Sequence, residues 1–492
     1  MTPAHQTHER RWRVGLLVAV VIVGVAIGVG VRGTPAPSSA APSPSALVGA
    51  PDAESTAWYC TGQSTAGGVA PGTLVLSNTT SNTVTAAITA TSDSGAYANT
   101  AVAVPAHSVV APAESALSSG SWESETVTTS GGGLAVSQTV QNTLGWSQAP
   151  CQSTAASQWY FPGGSTAAAN SLYVSLLNPT STPVVVDLSF VTPAGVVHPI
   201  NYQGIVLPAG QVAVENVTAE VQDVSTISTE VSTRTGRVIA SEVQEIVDAG
   251  LTSGGIAIVP GAPTPQSHWF IPLAQETSGG TSEIDIFNPG TTSESVTVHL
   301  RLPSGPLAPL TDKILPGATW VIPTNQQTRI PDNEAYSTTL SATGGPGVVV
   351  SRTVSLTAGA TPPPQAGTVL AVDGLSAGAA THEWVVPPPG TSTSPAAAGA
   401  APAYLALLNT SSHSETYRVD VMTPAGTKAL SSGTVAAGAV ALVSGSGLTA
   451  AGFDPLLVDA SGPLAVSEDT GPSAGVGVVA MPGLPLAAAI GP

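Results

Sequence analysis

Charge is what this 492-residue chain has least of. Asp, Glu, Lys and Arg together make up 9% of it, against roughly 25% in an ordinary soluble domain. Its surface must therefore be covered mainly by Ser, Thr, Asn, Gln and backbone. The charge present is acidic, 30 carboxylates against 12 Lys and Arg, for a formal net charge of −18. Residues 1–32 hold four Arg and one Glu, so the remainder carries eight basic and 29 acidic residues, a net −21. Such a chain repels a phosphate backbone, which argues against nucleic acid as a partner. The stretch 56–152 has no Lys or Arg at all and offers nothing to anionic headgroups.

Motifs for chemistry are missing as well. There is no G-x-S-x-G elbow, no Ser three residues before either lysine (Lys313, Lys428), and no H-E-x-x-H helix. No acidic calcium loop occurs, and no Gly-rich loop leads from a strand into a helix. These absences exclude nucleotide enzymes and give no catalytic, metal or cofactor residue to name. Helical Leu-Glu-Lys patterns are absent too, whereas Thr and Val are abundant and turn residues punctuate the chain. Gly and Pro number 52 and 43, below the ~25–30% share of a disordered low-complexity chain. The composition is that of an all-β protein.

There is one long apolar run. Val14–Val31 spans 18 residues without a charge, ~27 Å as a helix and enough to cross a bilayer core. Arg10, Arg11 and Arg13 precede it, which assigns 1–13 to the cytoplasm, 14–31 to a transmembrane anchor and the rest to the outside. The rival reading is a cleaved signal peptide, with small residues at Ser38-Ser39-Ala40, although the run exceeds the usual ~7–15-residue signal core. Residues 32–55, rich in Pro, Ala and Ser, read as a spacer whose hydroxyls are candidate sugar acceptors.

Beyond the spacer one pattern recurs four times. Trp159-Tyr160-Phe161-Pro162 leads to Leu172-Tyr173-Val174-Ser175-Leu176-Leu177-Asn178-Pro179; Trp269-Phe270-Ile271-Pro272 leads to Ile284-Asp285-Ile286-Phe287-Asn288-Pro289. Trp384 with Asn409, and Trp58 with Asn78, head more diverged copies. Each copy closes on an alternating strand at Ser137, Ser241, Ser351 or Ser467, which lie 79, 82, 82 and 83 residues after their Trp. Constant spacing across diverged copies requires a fixed packing frame. We expect four tandem immunoglobulin-like β-sandwich repeats at 56–152, 153–263, 264–377 and 378–492, with a β-propeller-like closed repeat array as the alternative.

Cys60 and Cys151, the two cysteines, lie near the ends of the first repeat and should pair in an oxidising compartment. One Trp per repeat suits a core plug better than a sugar-stacking platform. The closing serines read as polar positions of a strand, and Glu230 with Glu242 is the nearest approach to a carboxylate pair, expected on neighbouring strands. Repeat three differs: Arg301, Lys313, Arg329 and Arg352 are half of the basic residues after position 32. If one repeat meets an anionic partner, Arg301, Arg329 and Trp320 are the candidate residues. Local ion pairs with Glu283, Asp285 and Glu294 are the competing explanation.

The basic N-terminus, single apolar run, Pro/Ala/Ser spacer and repeated W-[YF]-x-P…N-P segments resemble an uncharacterised family of exported, membrane-anchored actinobacterial proteins. That resemblance implies location and architecture, and no catalytic residue. The resulting expectation is a non-enzymatic cell-envelope protein that binds an envelope protein or cell-wall polysaccharide. The alternative is an envelope hydrolase or an accessory subunit of a glycan-processing enzyme.

Overall fold

A computed structural model describes residues 48–49, 53–112, 119–142, 144–167, 169–247, 255–275, 280–331, 334–356, 368–371, 382–388, 401–444, 448, 451, 454–471 and 479–486. The apolar run 14–31 and nearly all of the spacer lie outside these residues. Among the described residues no helix is long and apolar enough to cross a membrane.

Strands dominate. Repeat one contains β1 (Thr56–Ser64), β2 (Gly72–Asn78), β3 (Val84–Ser92), β4 (Tyr97–Val104), β5 (Val109–Val110), β6 (Trp122–Thr129), β7 (Leu134–Asn142) and β8 (Gly145–Pro150). Repeat two contains β9 (Gln158–Gly164), β10 (Ser171–Leu177), β11 (Val184–Thr192), β12 (Gly195–Val197), β13 (Ile205–Leu207), β14 (Val212–Asn216), β15 (Ile227–Thr235), β16 (Ile239–Ile246) and β17 (Gly255–Pro260). Repeat three contains β18 (His268–Gln275), β19 (Gly280–Asn288), β20 (Glu294–Leu302), β21 (Gly305–Pro306), β22 (Leu310–Ile314), β23 (Ala318–Pro323), β24 (Ala335–Thr343), β25 (Val349–Leu356) and β26 (Thr368–Ala371). Repeat four contains β27 (Glu383–Val386), β28 (Ala401–Asn409), β29 (Glu415–Thr423), β30 (Gly426–Val435), β31 (Val440–Ser444), β32 (Leu456–Ala460), β33 (Leu464–Gly471), β34 (Val479–Pro482) and β35 (Leu484–Pro485).

Each repeat forms two antiparallel sheets. In repeat one their orders are β1-β6-β3-β4 and β5-β2-β7-β8, so the Trp-bearing first strand lies beside the sixth. The other repeats follow the same plan: β9-β15-β11-β12 with β14-β10-β16-β17, β18-β24-β20-β21 with β23-β19-β25-β26, and β35-β27-β32-β29-β30 with β31-β28-β33-β34. Register is equally constant. Trp58, Trp159, Trp269 and Trp384 stand opposite Val127, Val231, Leu340 and Val458. Alternation along the strands places one apolar face inward: Val184, Val186, Leu188 and Phe190 of β11 are fully buried. They meet Leu172, Val174 and Leu176 of the facing sheet in one core. In repeat one a disulfide joins Cys60 of β1 to Cys151, just beyond β8, with Cα atoms 4.7 Å apart.

Residues 44–492 form one compact unit, and the repeats within it contact one another in a cycle. β1 lies against β10 and β16, β9 against β19 and β25, and β18 against β28 and β33. The strands β8, β17, β26 and β34 touch in that order, and β34 returns to β8. Between repeats four and one, Val385, Met422 and Leu484 bury against Ala135 and Val48. The Val48 N–H donates to the Pro485 carbonyl (3.0 Å), and the Gly133 N–H donates to Gly49 (2.8 Å). Paired sheets within a repeat are thus combined with closure of the array, two features that the sequence expectations kept apart.

Candidate functional site

The recurring motif acquires a physical explanation from strand alternation. Each Trp points into its own core, and the next residue points into the following repeat. Tyr59 packs against the core of repeat two, and Phe270 against that of repeat four. Tyr160 sits edge-on to Phe287 of repeat three, with ring centroids 6.2 Å apart. Trp159 and Trp269 donate their indole N–H to the carbonyls of Val238 (2.8 Å) and Val348 (2.7 Å). All four repeat-leading indoles are buried and leave no face for a sugar.

The recurring Asn is equally architectural. Asn178 Oδ1 accepts from the Thr180 N–H (2.9 Å) while Nδ2 donates to Thr182 and Leu207 carbonyls (2.8 and 3.1 Å). Asn78, Asn288 and Asn409 repeat the arrangement. A two-residue Asx turn is thereby tied to the end of a strand on the other sheet.

The closing serines are buried opposite Val75, Ser175, Asp285 and Ala406. Ser351 donates its hydroxyl across the repeat junction to the Pro162 carbonyl, a strand contact rather than the setting of a nucleophile. Beside it, Asp285 presses against Gly163. A Cβ on Gly163 would stand 2.2 Å from Asp285 Oδ2, and the glycine has φ +81°, so only glycine fits. Burial pushes the Asp285 carboxyl well above its usual range, and neighbouring Glu283 adds to the effect. Glu230 and Glu242 do not form the expected neighbouring-strand pair. Their strands are consecutive in the chain, but β15 and β16 belong to opposite sheets of repeat two. Glu242 faces the interior, where burial pushes it up to about 8.

The cations of repeat three are dispersed. Arg352 is buried and donates to the Leu273 carbonyl (3.1 Å). Arg329 donates to the Ala308 carbonyl (2.9 Å) and to Gln327 Oε1 (3.3 Å), which pins a loop. Trp320, opposite Ile286, packs half-buried against its own core. None of these cations pairs with Glu283, Asp285 or Glu294. Glu294 is fully buried and accepts from the Gly347 N–H (2.8 Å). The ion pairs among the described residues are Arg234–Asp187 (2.7 Å) and Arg418–Asp420 (2.8 Å), both outside repeat three.

Arg301 is different. It stands on β20 opposite Ser337, partly exposed and without an ion pair among the described residues. It lines a cavity of about 300 Å³ between repeats three and four, with Leu273, Leu302, Ala335 and Ser337 on one side and Ala439, Val440 and Leu442 on the other. The structure therefore separates the three sequence candidates: Arg301 is at the cavity, and Arg329 and Trp320 are not among its lining residues. The lining holds one cation, Arg301, the hydroxyl-bearing Ser337 and Tyr336, and otherwise apolar side chains; no carboxylate or imidazole is among these lining residues. It can bind and neutralise an anion. Ser337, Ala335 and Val440 were invisible in the sequence because each lies in an ordinary strand segment. Only their register against the other repeats marks them.

The described residues define a nearly all-β protein of paired, unclosed sheets with a cation-lined cavity at a repeat junction. A family of unknown function, DUF5719, matches residues 127–321, from β6 of repeat one to β23 of repeat three. No curated protein matches the chain.

Proposed function

We propose that this protein is a non-enzymatic cell-envelope module, held by residues 14–31 as a single-pass anchor and displaying its repeats outside the cell. In this reading each repeat is immunoglobulin-like in the broad sense of two antiparallel sheets around one core. The partner is an anionic envelope polysaccharide or protein, met by repeat three. The observation that carries this reading is Arg301: in a chain of net charge −18, it is a partly exposed guanidinium with no carboxylate paired to it among the described residues. A free cation at a junction attracts an anion over a range of about a Debye length, ~8 Å at physiological salt. Chemical crosslinking in intact envelope, followed by affinity capture and mass spectrometry, should recover one partner class with the native chain. R301A/R329A should lose it, and retention by that variant would refute the reading. Release of sugars or peptides from isolated cell wall by the purified chain would favour the alternative, a hydrolase or an accessory subunit of a glycan-processing enzyme.

A further inference from the structure

We propose that the cavity between repeats three and four is a binding site for a small aryl carboxylate, one or two flat rings bearing a single acid group. At matched register this junction differs from its counterparts in the other repeats.

The position of Arg301 is held by Thr91, Val191 and Met422 in the other repeats. Thr91 and Val191 stand opposite Ser124 and Ser228, as Arg301 stands opposite Ser337; the Met422 N–H donates to the Pro455 carbonyl on the corresponding strand. All three are buried, and Val191 and Met422 are covered by the following repeat. Among these four positions only that of repeat three carries a charge, and a cavity opens beside it.

The serine opposite tells the same story. Ser124 donates to Thr61 (2.6 Å), whose hydroxyl meets Ser175 of repeat two. Ser228 shares a hydrogen bond with Thr319 of repeat three (2.7 Å). At the Thr319 position repeat four has Val440: Thr319 stands opposite Phe287 and Val440 opposite Leu408. Ser337, 3% exposed, therefore faces an apolar neighbour and has no hydrogen-bond partner among the described residues. A guanidinium and a hydroxyl, both vacant donors, converge on one space.

The shape of that space is also informative. Between repeats one and two, Trp122 packs on Tyr173 with ring centroids 5.1 Å apart. Trp122 stands opposite Ser64, six residues after its Trp58; the matching partner of Gln275, six after Trp269, is Ala335. Tyr404, the register equivalent of Tyr173, is 38% exposed. Where repeat one places an indole against a tyrosine, repeat three has only Ala335 at the cavity wall, so the space beside it suits a flat ring. One cation calls for one negative charge, and a carboxylate accepts from a guanidinium in bidentate fashion. A volume of about 300 Å³ is at the small end of ligand sites, ~300–1,000 Å³, and limits the ligand to one or two rings.

This inference shares Arg301 with the envelope-partner reading, and the two are distinguishable because A335W fills the cavity and leaves Arg301 in place. Calorimetric titration of the full-length chain in detergent with 1-naphthoate should show saturable one-site binding, with 1-naphthamide and octanoate weaker. R301Q and A335W should each weaken naphthoate by about tenfold or more, the effect of losing a charge-assisted hydrogen bond or the space for the ring. A335W should keep or raise the Tm, since its indole takes the place that Trp122 has in repeat one. Four results would overturn the proposal: no saturable naphthoate binding, octanoate binding as well as naphthoate, A335W binding as wild type, or A335W lowering the Tm. If A335W loses naphthoate but keeps its envelope partner, naphthoate requires the cavity and not Arg301 alone, as proposed.

Discussion

Repeats one and two share strand order and register, yet they fill the same place in the core by different means. In repeat one the second residue after the Trp is Cys60, bonded to Cys151. In repeat two the corresponding residue is Phe161, and its ring lies over Gly261. A Cβ on that glycine would stand 2.6 Å from the Phe161 Cζ. One repeat closes the gap with a covalent link and the other with an aromatic ring that only glycine admits. The adjoining polar layer differs as well. In repeat one Gln63 donates to Glu125 Oε2 (3.2 Å) and to Gln138 Oε1 (3.1 Å), while Gln138 donates to the Thr61 carbonyl (3.1 Å). In repeat two the same layer holds Thr229 and Glu242, and neither Thr229 Oγ1 nor Glu242 Oε1 has a hydrogen-bond partner. The difference teaches that the frame is set by the Trp and Asn positions, whereas the filling beside them is free to vary.

The largest loss of stability is expected for C60S/C151S. Opening a loop with a sequence separation of 91 should cost ~4–5 kcal/mol in the chain-entropy model, read as a lowered denaturation midpoint. F161A removes the counterpart in repeat two and should cost ~3–5 kcal/mol by leaving a cavity. C60F/C151G, which writes repeat two's solution into repeat one, should be more stable than C60S/C151S; equal stability would mean the two fillings are not equivalent. G261A forces a methyl against Phe161 and should cost ~1–3 kcal/mol by overpacking.

A further contrast is electrostatic. The Glu242 carboxyl is raised from 4.5 to about 8 by burial. The folded state therefore holds a proton that the unfolded state releases first. Its stabilising contribution is complete below pH 4.5 and is lost as pH rises toward about 8. E242Q should flatten that part of the stability–pH profile, whereas E125Q in repeat one, where the carboxylate already accepts a hydrogen bond, should change it less.

Much of this frame was legible because it rests on local signals. Trp spacing, Asn turns and alternating Val and Leu announced strands and cores before any contact was known. What remained hidden depends on contacts between repeats. Tyr160 and Phe270 look like further core residues until alternation shows them reaching into the next repeat. The cavity was harder still, because it arises from an absence. Ala335 is an unremarked alanine until register places it where Trp122 stands, and Arg301 drew notice for its charge while its vacant neighbour Ser337 did not. Glu230 and Glu242 lie on consecutive strands, and in this topology β15 and β16 belong to different sheets, so adjacency in the chain gives no adjacency in a sheet.

The cycle of repeat contacts changes the arithmetic of deletion. In an open solenoid an end unit can be removed at the expense of one interface, and stability grows or shrinks link by link. Here no unit is terminal, since β34 meets β8 and the Val48 amide is clasped to Pro485. Excising any one repeat uncovers two faces at once, so shortened versions of this protein should melt as broken circles rather than as shorter rods.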